Sequence, residues 1–264
     1  MTIVVFTRST PDTAAKVEVD ASGSVTWGEA ATVVNPWDEY ALEEAILQGK
    51  AGGGKTVVAA VGPEMHNEAL KHSLAMGLDE AARVWDEALQ ASDSLGYAAA
   101  AAAAVQKIGD VSLVILGKES VDVGTDQHNT QIARRLGWPM LSYVSRIVAV
   151  DYAAKTIKVE RLLEEGKQVV TSRLPAVIGT VKDINEPRYV SFMGIRKAAK
   201  AVIPMWSAAD LGCDPAKIGQ AGSAMSWPEI KPLPARQGSV ELIEGSPEEI
   251  AAKLADKLFG DKVI

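Results

Sequence analysis

Residues 111–136, VSLVILGKESVDVGTDQHNTQIARRL, decide the fold of this chain. The unbroken apolar run at 111–116 is rich in β-branched residues and is typical of a strand buried on both faces of a parallel sheet. A polar loop at 117–130 follows, and residues 131–136 before Gly137 are typical of a helix. Together they predict one strand–loop–helix unit of an α/β fold, in which ligands bind beyond the carboxyl ends of the strands.

The same alternation of strand and helix extends toward the N-terminus. Apolar runs predict further strands, and helical spacing with capping residues predicts further helices. Strands that alternate with helices pair in parallel through right-handed crossovers, so the fold class is α/β with a mostly parallel open sheet and flanking helices. The predicted strands are 3–6, 55–62 and 82–85, and the predicted helices are 39–48, 64–76 and 92–108. Asn35 or Asp38 can cap the first of these helices by accepting its free N–H groups.

The pattern changes after residue 141. Residues 145–150, 156–161 and 167–173 alternate between apolar and polar side chains and are joined by turn residues, which predicts an antiparallel β excursion. Residues 174–180 then predict a return to the core.

The C-terminal part of the chain has a different composition. Residues 213–237 contain Pro228, Pro232 and Pro234 and several glycines, which predicts an extended arm rather than a packed core. Ser246 followed by proline and two acidic residues is a strong helix start, and this helix is expected to run to about residue 259.

Composition and charge exclude several classes of protein. The chain has 264 residues, of which 47% are hydrophobic and 23% charged, and its formal net charge of −7 argues against nucleic acid as a partner. A single cysteine, Cys213, leaves no intramolecular disulfide and fits a reducing, cytoplasmic location. No apolar run is long enough for a membrane span, so we expect no membrane insertion. Three histidines in the whole chain make us expect no metal site.

Residues 49–56, GKAGGGKT, match the phosphate-loop pattern GxxxxGK[ST]. That loop needs a strand before it and a helix after it, because the helix N-terminus then faces the phosphate. Here a helix is predicted before the pattern and a strand after it. We therefore interpret it as a helix-to-strand turn, which disfavours an ATP-hydrolysing enzyme built on it.

The loop at 117–130 has the correct context for a nucleotide. It follows a buried strand and leads into a helix, where a phosphate or ribose binds. Gly124 permits close approach of the backbone to a ligand. Thr125 and Gln127 can donate hydrogen bonds, and Asp122 can accept them from sugar hydroxyls. A polar loop without a ligand is an equally good interpretation of the pattern alone.

A second candidate site lies at residues 183–200, DINEPRYVSFMGIRKAAK. Pro187 ends the preceding strand because it has no N–H for a sheet ladder. The basic, alanine-rich segment at 196–200 is expected to be helical. The pattern alone favours a turn whose apolar residues pack into the core, since single exposed apolar residues usually carry no function. The alternative is a docking surface, because aromatic, Met and Arg side chains are enriched at interfaces; these are Tyr189, Phe192, Met193, Ile195 and Arg196.

Short motifs in a fixed order resemble the beta subunit of electron-transfer flavoproteins. Pro11-Asp12-Thr13 follows the first strand, and Asn35-Pro36-Trp37 precedes the first helix. Each match is weak alone, but the ordered set spans at least residues 3–212. The resemblance implies an adenine nucleotide alpha hydrolase-like fold. Further matches are ALEEA (41–45), GP (62–63), AMGLD (75–79), LPAVI (174–178), NEPRY (185–189) and ADLG (209–212).

The resemblance implies a buried AMP in this subunit. The family's usual acidic run reads Asp122-Val123-Gly124-Thr125 here, so one acidic side chain is lost. A second FAD in the same pocket, as in the electron-bifurcating branch of the family, stays open as an alternative. The residues carried over to the nucleotide site by position are Phe6, Asn35, Pro36, Trp37, Asp38, Val61, Gly117, Ser120, Asp122, Val123, Gly124, Thr125, Asp126, Gln127 and His128.

The resemblance also implies partners and a role. The chain is expected to be an electron carrier without turnover of its own, sharing FAD with an alpha subunit. It would take electrons from acyl-CoA or other flavin dehydrogenases and pass them to a quinone oxidoreductase. Residues 183–200 would be the recognition loop, with Phe192 at the position of its protruding anchor. Residues 1–212 would form the nucleotide-binding α/β domain, and residues 213–264 would form an arm and helix that wrap the alpha subunit.

Two points stay open at this stage. In a eukaryote the location would be the mitochondrial matrix. A flavin-free, stress-type nucleotide-binding module built on the same α/β core is the alternative from another functional class.

Overall fold

The computed structural model describes residues 1–20, 22–227, 229–232, 234 and 240–263. The strands are β1 (Thr2–Phe6), β2 (Ser9–Pro11), β3 (Glu18–Val19), β4 (Val25–Thr26), β5 (Thr32–Val34), β6 (Lys55–Val61), β7 (Glu80–Val84), β8 (Val111–Gly117), β9 (Met140–Asp151), β10 (Thr156–Leu163), β11 (Gly166–Arg173), β12 (Ala176–Thr180) and β13 (Met205–Trp206). The helices are α1 (Pro36–Gly52), α2 (Asn67–Met76), α3 (Ser94–Ile108), α4 (Gln127–Leu136), α5 (Phe192–Ala198), α6 (Gly219–Gly222) and α7 (Pro247–Gly260).

A nine-stranded sheet organises the described residues, in the order β11-β10-β9-β12-β8-β1-β6-β7-β13. The pairs from β9 through β12, β8, β1, β6 and β7 to β13 are parallel, whereas β9, β10 and β11 pair antiparallel. Two small antiparallel pairs, β2 with β5 and β3 with β4, lie beside the sheet. The prediction of a mostly parallel α/β fold with an antiparallel excursion is confirmed.

Helices cover both faces of the sheet because alternate strand residues point to opposite sides. On β1, Ile3 and Val5 pack in one cluster with residues of α1 and α2. Val4 and Phe6 pack in the other, with α3 and α4. The alanines of α3 bring its axis close to the sheet, and Ala98 and Ala101 are fully buried there.

Three helices begin earlier than the sequence predicted. The first begins at Pro36 rather than residue 39, and α4 begins at Gln127 rather than 131. The basic segment predicted as a helix from residue 196 is the second half of α5, which begins at Phe192. These first turns carry polar or exposed residues, so the spacing of apolar residues misses them.

The start of the predicted arm is packed on the core. Ile218 is buried in a cluster with Val84, Leu89 and Ala104, so the core extends past residue 212. Pro228 and Gln237, which the predicted arm includes, lie outside the described residues.

The terminal helix predicted from its start signal is confirmed. Ser246 forms a capping box with Glu249 at the start of α7. Every described residue of α7 is at least partly exposed. Within the part of the chain that the structure describes, no helix combines the length and apolar character needed to cross a bilayer.

Candidate nucleotide site and docking surface

A cavity of about 560 Å³ opens at the carboxyl ends of β1, β6, β7 and β8, and we call it the edge pocket. The volume lies within the usual range for small-molecule sites, and the position is where open α/β sheets bind ligands. Ten of the fifteen residues predicted for the nucleotide site line it: Phe6, Asn35, Asp38, Val61, Ser120, Val123, Gly124, Thr125, Gln127 and His128.

Asn35 joins the start of α1 to the loop after β8. Its Nδ2 donates to the carbonyl of Glu119 at 2.9 Å, and its Oδ1 accepts from the Val121 N–H at 3.2 Å. It forms no side-chain cap on α1, although it occupies the capping position. The prediction that Asn35 or Asp38 caps this helix is therefore wrong, because Asn35 holds the predicted nucleotide loop and Asp38 lies inside the helix.

Gly117 allows α1 to approach the end of β8. A Cβ at this position would lie 2.6 Å from Asp38 Oδ1 and 2.6 Å from the backbone carbonyl carbon of Trp37. Real Cβ atoms do not approach other heavy atoms so closely, so any larger residue would push α1 away. Gly117 thus shapes the floor of the edge pocket without lining it.

Arg8 lies on the wall of the edge pocket and pairs with a predicted site residue. Its Nη2 is 2.8 Å from Asp122 Oδ2, and Ser120 also donates a hydrogen bond to Asp122. The Arg8 Nε and the Thr7 hydroxyl are buried without a hydrogen-bond partner among the described residues. Buried polar groups are normally paired, so these two donors are exceptions to that rule.

Burial shifts the pKa of several side chains around the edge pocket. It raises the pKa of Asp38 to about 7, against the opposing effects of Asn35 and Arg8. It lowers the pKa of His66 and of His128 to about 4 each, and the Arg8 charge acts in the same direction. Burial also raises the pKa of Tyr97 well above its usual value. At neutral pH both histidines are therefore uncharged, and Arg8 is the cation of the pocket wall.

The other five predicted site residues lie beside the cavity. The Trp37 ring lies 5.0 Å from Lys118 Nζ, and Asp126 accepts a hydrogen bond from the Tyr143 hydroxyl at 3.0 Å. Asp126 lines a second cavity of about 460 Å³ on the other side of the start of α4. Pro36 begins α1, Gly117 lets α1 approach the end of β8, and Asp122 forms the ion pair with Arg8.

Sequence reasoning missed several residues on the pocket wall. Tyr97 contacts the His128 ring edge-on at 5.8 Å between centroids. Thr7 and Arg8 stand in the polar loop after β1, a position where open α/β sheets bind ligands, so their place in the chain could have found them. The other missed positions come from segments far apart in the chain and carry no local signal of a site. The missed residues are Thr7, Arg8, Gly62, Pro63, His66, Trp85, Leu89, Ala91, Ser92, Asp93, Ser94, Tyr97, Leu116, Met225 and Trp227.

Residues Tyr189, Phe192, Met193, Ile195 and Arg196 form what we call the docking surface. The prediction favoured by pattern alone, that these apolar residues pack into the core, is wrong. Tyr189 is 99% exposed, Phe192 79% and Met193 69%, and Ile195 is half exposed. These side chains lie together on or just before α5, far along the chain from the edge pocket.

Polar contacts to α1 hold the docking surface in place. Arg188 makes a two-pronged pair with Glu43, with both N–O distances at 2.6 Å. Asn185 donates to the carbonyl of Tyr40 and to Glu44 Oε2, each at 3.1 Å. Burial would raise the pKa of Glu43, but the hydrogen bonds and charge of Arg188 outweigh it and hold that pKa below its usual value.

A close helix contact adds to these bonds. A Cβ at Gly194 would lie 2.2 Å from the Ala75 carbonyl oxygen, so this glycine lets α5 rest directly on α2. Ser191 caps α5 through the Gly194 N–H. The exposed apolar side chains thus stand on a fixed base.

Comparison with known proteins decides the family. A family model described as the electron transfer flavoprotein domain matches residues 26–211. The chain belongs to the electron transfer flavoprotein family. It is 35% identical over 274 residues to the electron transfer flavoprotein subunit beta of Megasphaera elsdenii, with 100% of both chains covered.

Two other relatives carry different names. The caffeyl-CoA reductase-Etf complex subunit CarD of Acetobacterium woodii is 34% identical over 268 residues, with 100% of both chains covered. Protein FixA of Azotobacter vinelandii is 35% identical over 264 residues, which cover 97% of this chain and 94% of that one. The resemblance stated from short motifs is confirmed, and the chain is a beta-type subunit of this flavoprotein family in electron transport.

Proposed function

We propose that this chain is the beta subunit of a heterodimeric electron-transfer flavoprotein that binds AMP in the edge pocket and shares FAD with an alpha subunit. FAD supplies the electron-carrying chemistry when bound. The complex accepts electrons from acyl-CoA or other flavin dehydrogenases and delivers them to a quinone oxidoreductase or a similar acceptor. The chain has no turnover of its own, and its residues bind, orient and dock.

The observation that carries the nucleotide part is the edge pocket, which lies beyond the carboxyl ends of the strands and is lined by ten of the predicted residues. Its wall includes Arg8 and the first residues of α4, where Asp126 makes no side-chain cap. Free N–H groups at a helix start and a cation are what a phosphate group binds. In this proposal Arg8 and the first turn of α4 hold the phosphate.

The docking surface supports the partner part of the proposal. Large apolar side chains that are exposed on a fixed base, next to a basic residue, are typical of a site that anchors another protein. In this proposal Phe192 enters a pocket of the partner dehydrogenase, and Arg196 attracts acidic residues around it.

A second FAD in the edge pocket is the alternative to AMP. The observation that favours it is the apolar character of the pocket mouth, where Val123 is 62% exposed and Trp227 is 73% exposed. Exposed apolar groups at a mouth can cover a ring that extends out of the cavity. This form would carry out electron bifurcation with two flavins per complex.

Co-expression with the alpha subunit tests the proposal. The purified complex should be yellow and contain one chain of each kind, one FAD and one AMP. Two FAD and no AMP would establish the alternative. A colourless homodimer would contradict the electron-transfer proposal and favour the stress-type module. An ATPase based on residues 49–56 stays disfavoured, since this segment joins the end of α1 to the start of β6.

A matched pair of variants tests the edge pocket itself. Thr125→Val removes a hydroxyl from the lining of the edge pocket, so it should weaken AMP binding. Thr130 lines the second cavity instead of the edge pocket. Thr130→Val makes the same chemical change and should leave AMP binding unchanged. Equal AMP affinity of both variants, measured by calorimetry, would contradict the AMP site.

A further inference from the structure

The edge pocket has a polar end and an apolar end. The polar end follows β8 and contains Ser120, Thr125 and Gln127. The apolar end follows β7 and contains the large side chains of Trp85 and Leu89, with Ser92, Asp93 and Ser94 beside them near the start of α3. Because β1 and β6 separate β8 from β7, the two ends are about 14 Å apart, which is three spacings between strands. A nucleotide has the same division, with an anionic phosphate at one end and an apolar planar ring at the other.

The outer wall of the apolar end comes from the C-terminal arm. Met225 and Trp227 line the same cavity as Arg8, although they lie more than 200 residues further along the chain. The Trp227 side chain is 73% exposed. A tryptophan that lines a cavity and remains mostly exposed has a ring face available to a flat ligand.

Asp93 fixes this part of the arm. Its Oδ1 caps α3 by accepting from the N–H groups of Leu95 and Gly96, at 2.9 and 3.1 Å. Its Oδ2 accepts from the N–H groups of Ala224 and Met225, at 2.7 and 3.2 Å. One carboxylate therefore joins the start of α3 to the backbone of the arm.

Ser223 makes a second connection at the same place. Its hydroxyl accepts from the Asp93 N–H at 2.9 Å and lies 2.8 Å from the Ala91 carbonyl. One turn earlier, the Ser92 hydroxyl accepts from the Gly219 N–H at 2.7 Å. These bonds set residues 219–225 against the pocket rather than leaving them free in solution.

We propose that residues 223–227 are part of the nucleotide site: Trp227 stacks on the planar ring of the bound nucleotide, and Asp93 is the positioning residue that holds this wall closed. The inference rests on the proposed nucleotide function of the edge pocket and adds the arm to it. The ring can be the adenine of AMP or a ring of FAD, since both are flat and aromatic.

Asp93→Asn is the sharpest test, because asparagine is also a good helix cap. The remaining oxygen can still cap α3, while the new amide NH₂ faces the N–H groups of the arm instead of an acceptor. The full-length Asp93→Asn chain, in complex with its alpha subunit, should release AMP roughly tenfold faster than the wild type. This factor is what the loss of one hydrogen bond to a charged group represents. Stopped-flow measurement with AMP, and separately with FAD, reports the rate.

Asp86→Asn is the matched control. Asp86 also caps a short helix, through the Ala88 N–H, and its other oxygen accepts from the Ala208 N–H at 2.6 Å. Asp86→Asn therefore makes the same change of charge and of hydrogen-bonding group as Asp93→Asn. The second oxygen of Asp86, however, holds the backbone at Ala208 and not the wall at 223–227. This variant should release AMP at the wild-type rate. Equal rates for Asp93→Asn and wild type would overturn the role of Asp93.

Trp227→Ala tests the ring contact directly, and its exposed position makes a folding defect unexpected. We expect roughly tenfold weaker binding of the ligand that stacks, as for aromatic stacking on a base. Weaker binding of AMP identifies adenine, and weaker binding of FAD alone identifies the flavin end. Unchanged affinity for both would overturn the inference while leaving the proposed function intact. A wild-type complex that binds neither nucleotide would overturn both.

Discussion

The edge pocket and the docking surface are both fixed to α1, and they use it in opposite ways. The first turn of the helix supplies Asp38 to the pocket, where polar side chains point inward. One to two turns later, Glu43 and Glu44 hold the segment that carries Phe192, whose apolar side chain points outward. One helix therefore supports both the proposed ligand site and the proposed docking surface. A mutation in either region should impair that region and leave the other intact.

The largest expected effect is on the base of the docking surface. Arg188→Ala leaves the Glu43 carboxylate, whose side chain is 6% exposed, without its cation. We expect the free energy of unfolding to fall by about 3 kcal/mol, as for other buried ion pairs that lose one partner. Urea unfolding of the complex measures it, and AMP content should stay at the wild-type level.

Lys167→Ala is the control for this prediction. The Lys167–Glu160 pair has nearly the same N–O distance, 2.8 Å, but Lys167 is 62% exposed. We expect a loss below about 1 kcal/mol. A loss of AMP in Arg188→Ala would show that the two regions are not separable.

The next effect is on the floor of the edge pocket. Gly117→Ala places a Cβ against Asp38 and the Trp37 backbone, so it should cost about 2 kcal/mol of stability by overpacking and remove AMP binding. Gly194→Ala makes a similar clash with α2 under the docking surface. It should slow the reaction with a partner dehydrogenase and keep AMP. Calorimetry should show a loss of AMP binding in Gly117→Ala alone, and the kinetics of electron transfer from the dehydrogenase should slow in Gly194→Ala alone. If both variants lost the same property, the two regions would not be separable.

A smaller effect is expected at the tip of the docking surface. Phe192→Ala removes a side chain whose burial in a partner is worth about 2 kcal/mol, so the KM for the complex in the dehydrogenase reaction should rise roughly thirtyfold. Flavin and AMP content should not change. Val169→Ala removes another exposed apolar side chain, on β11, and should leave the KM as in wild type. An unchanged KM for Phe192→Ala would remove this residue from docking.

The smallest effect is a pH dependence from the pocket. Burial raises the pKa of Asp38 from 3.8 to about 7, so the folded chain keeps a proton that the unfolded chain loses. The stabilisation is complete below the ordinary pKa and is lost as pH rises through about 7. Asp38→Asn should therefore flatten the fall in stability between about pH 4 and pH 7. Asp183→Asn, which changes an exposed carboxylate, should keep the wild-type dependence of unfolding free energy on pH. If Asp38→Asn also kept that dependence, Asp38 would not be its source.

The sequence predicts the layers of the fold well because each apolar run carries its own signal. It predicts helix starts poorly where the first turn is polar, as at Gln127, or apolar and exposed, as at Phe192. Asn35 shows a third limit. Its type and position predict a helix cap, but backbone groups of Glu119 and Val121, more than 80 residues away, bind its side chain instead.

The site is only partly predictable for the same reason. Residues of the loop at 117–128 stand together in the sequence, so a motif can find them. Arg8 reaches Asp122, and Asp93 reaches Met225, through contacts across more than 100 residues. No local pattern encodes such pairs, and they appear only when the sheet order places the loops side by side.

Amide hydrogen exchange on the complex, with and without AMP, tests the separation of the two regions most directly. The account predicts slower exchange with AMP at residues 35–38 and 117–128, where the ligand and its supporting loop lie. It predicts no change at residues 189–196. Protection at 189–196, or no protection at 117–128, would contradict it.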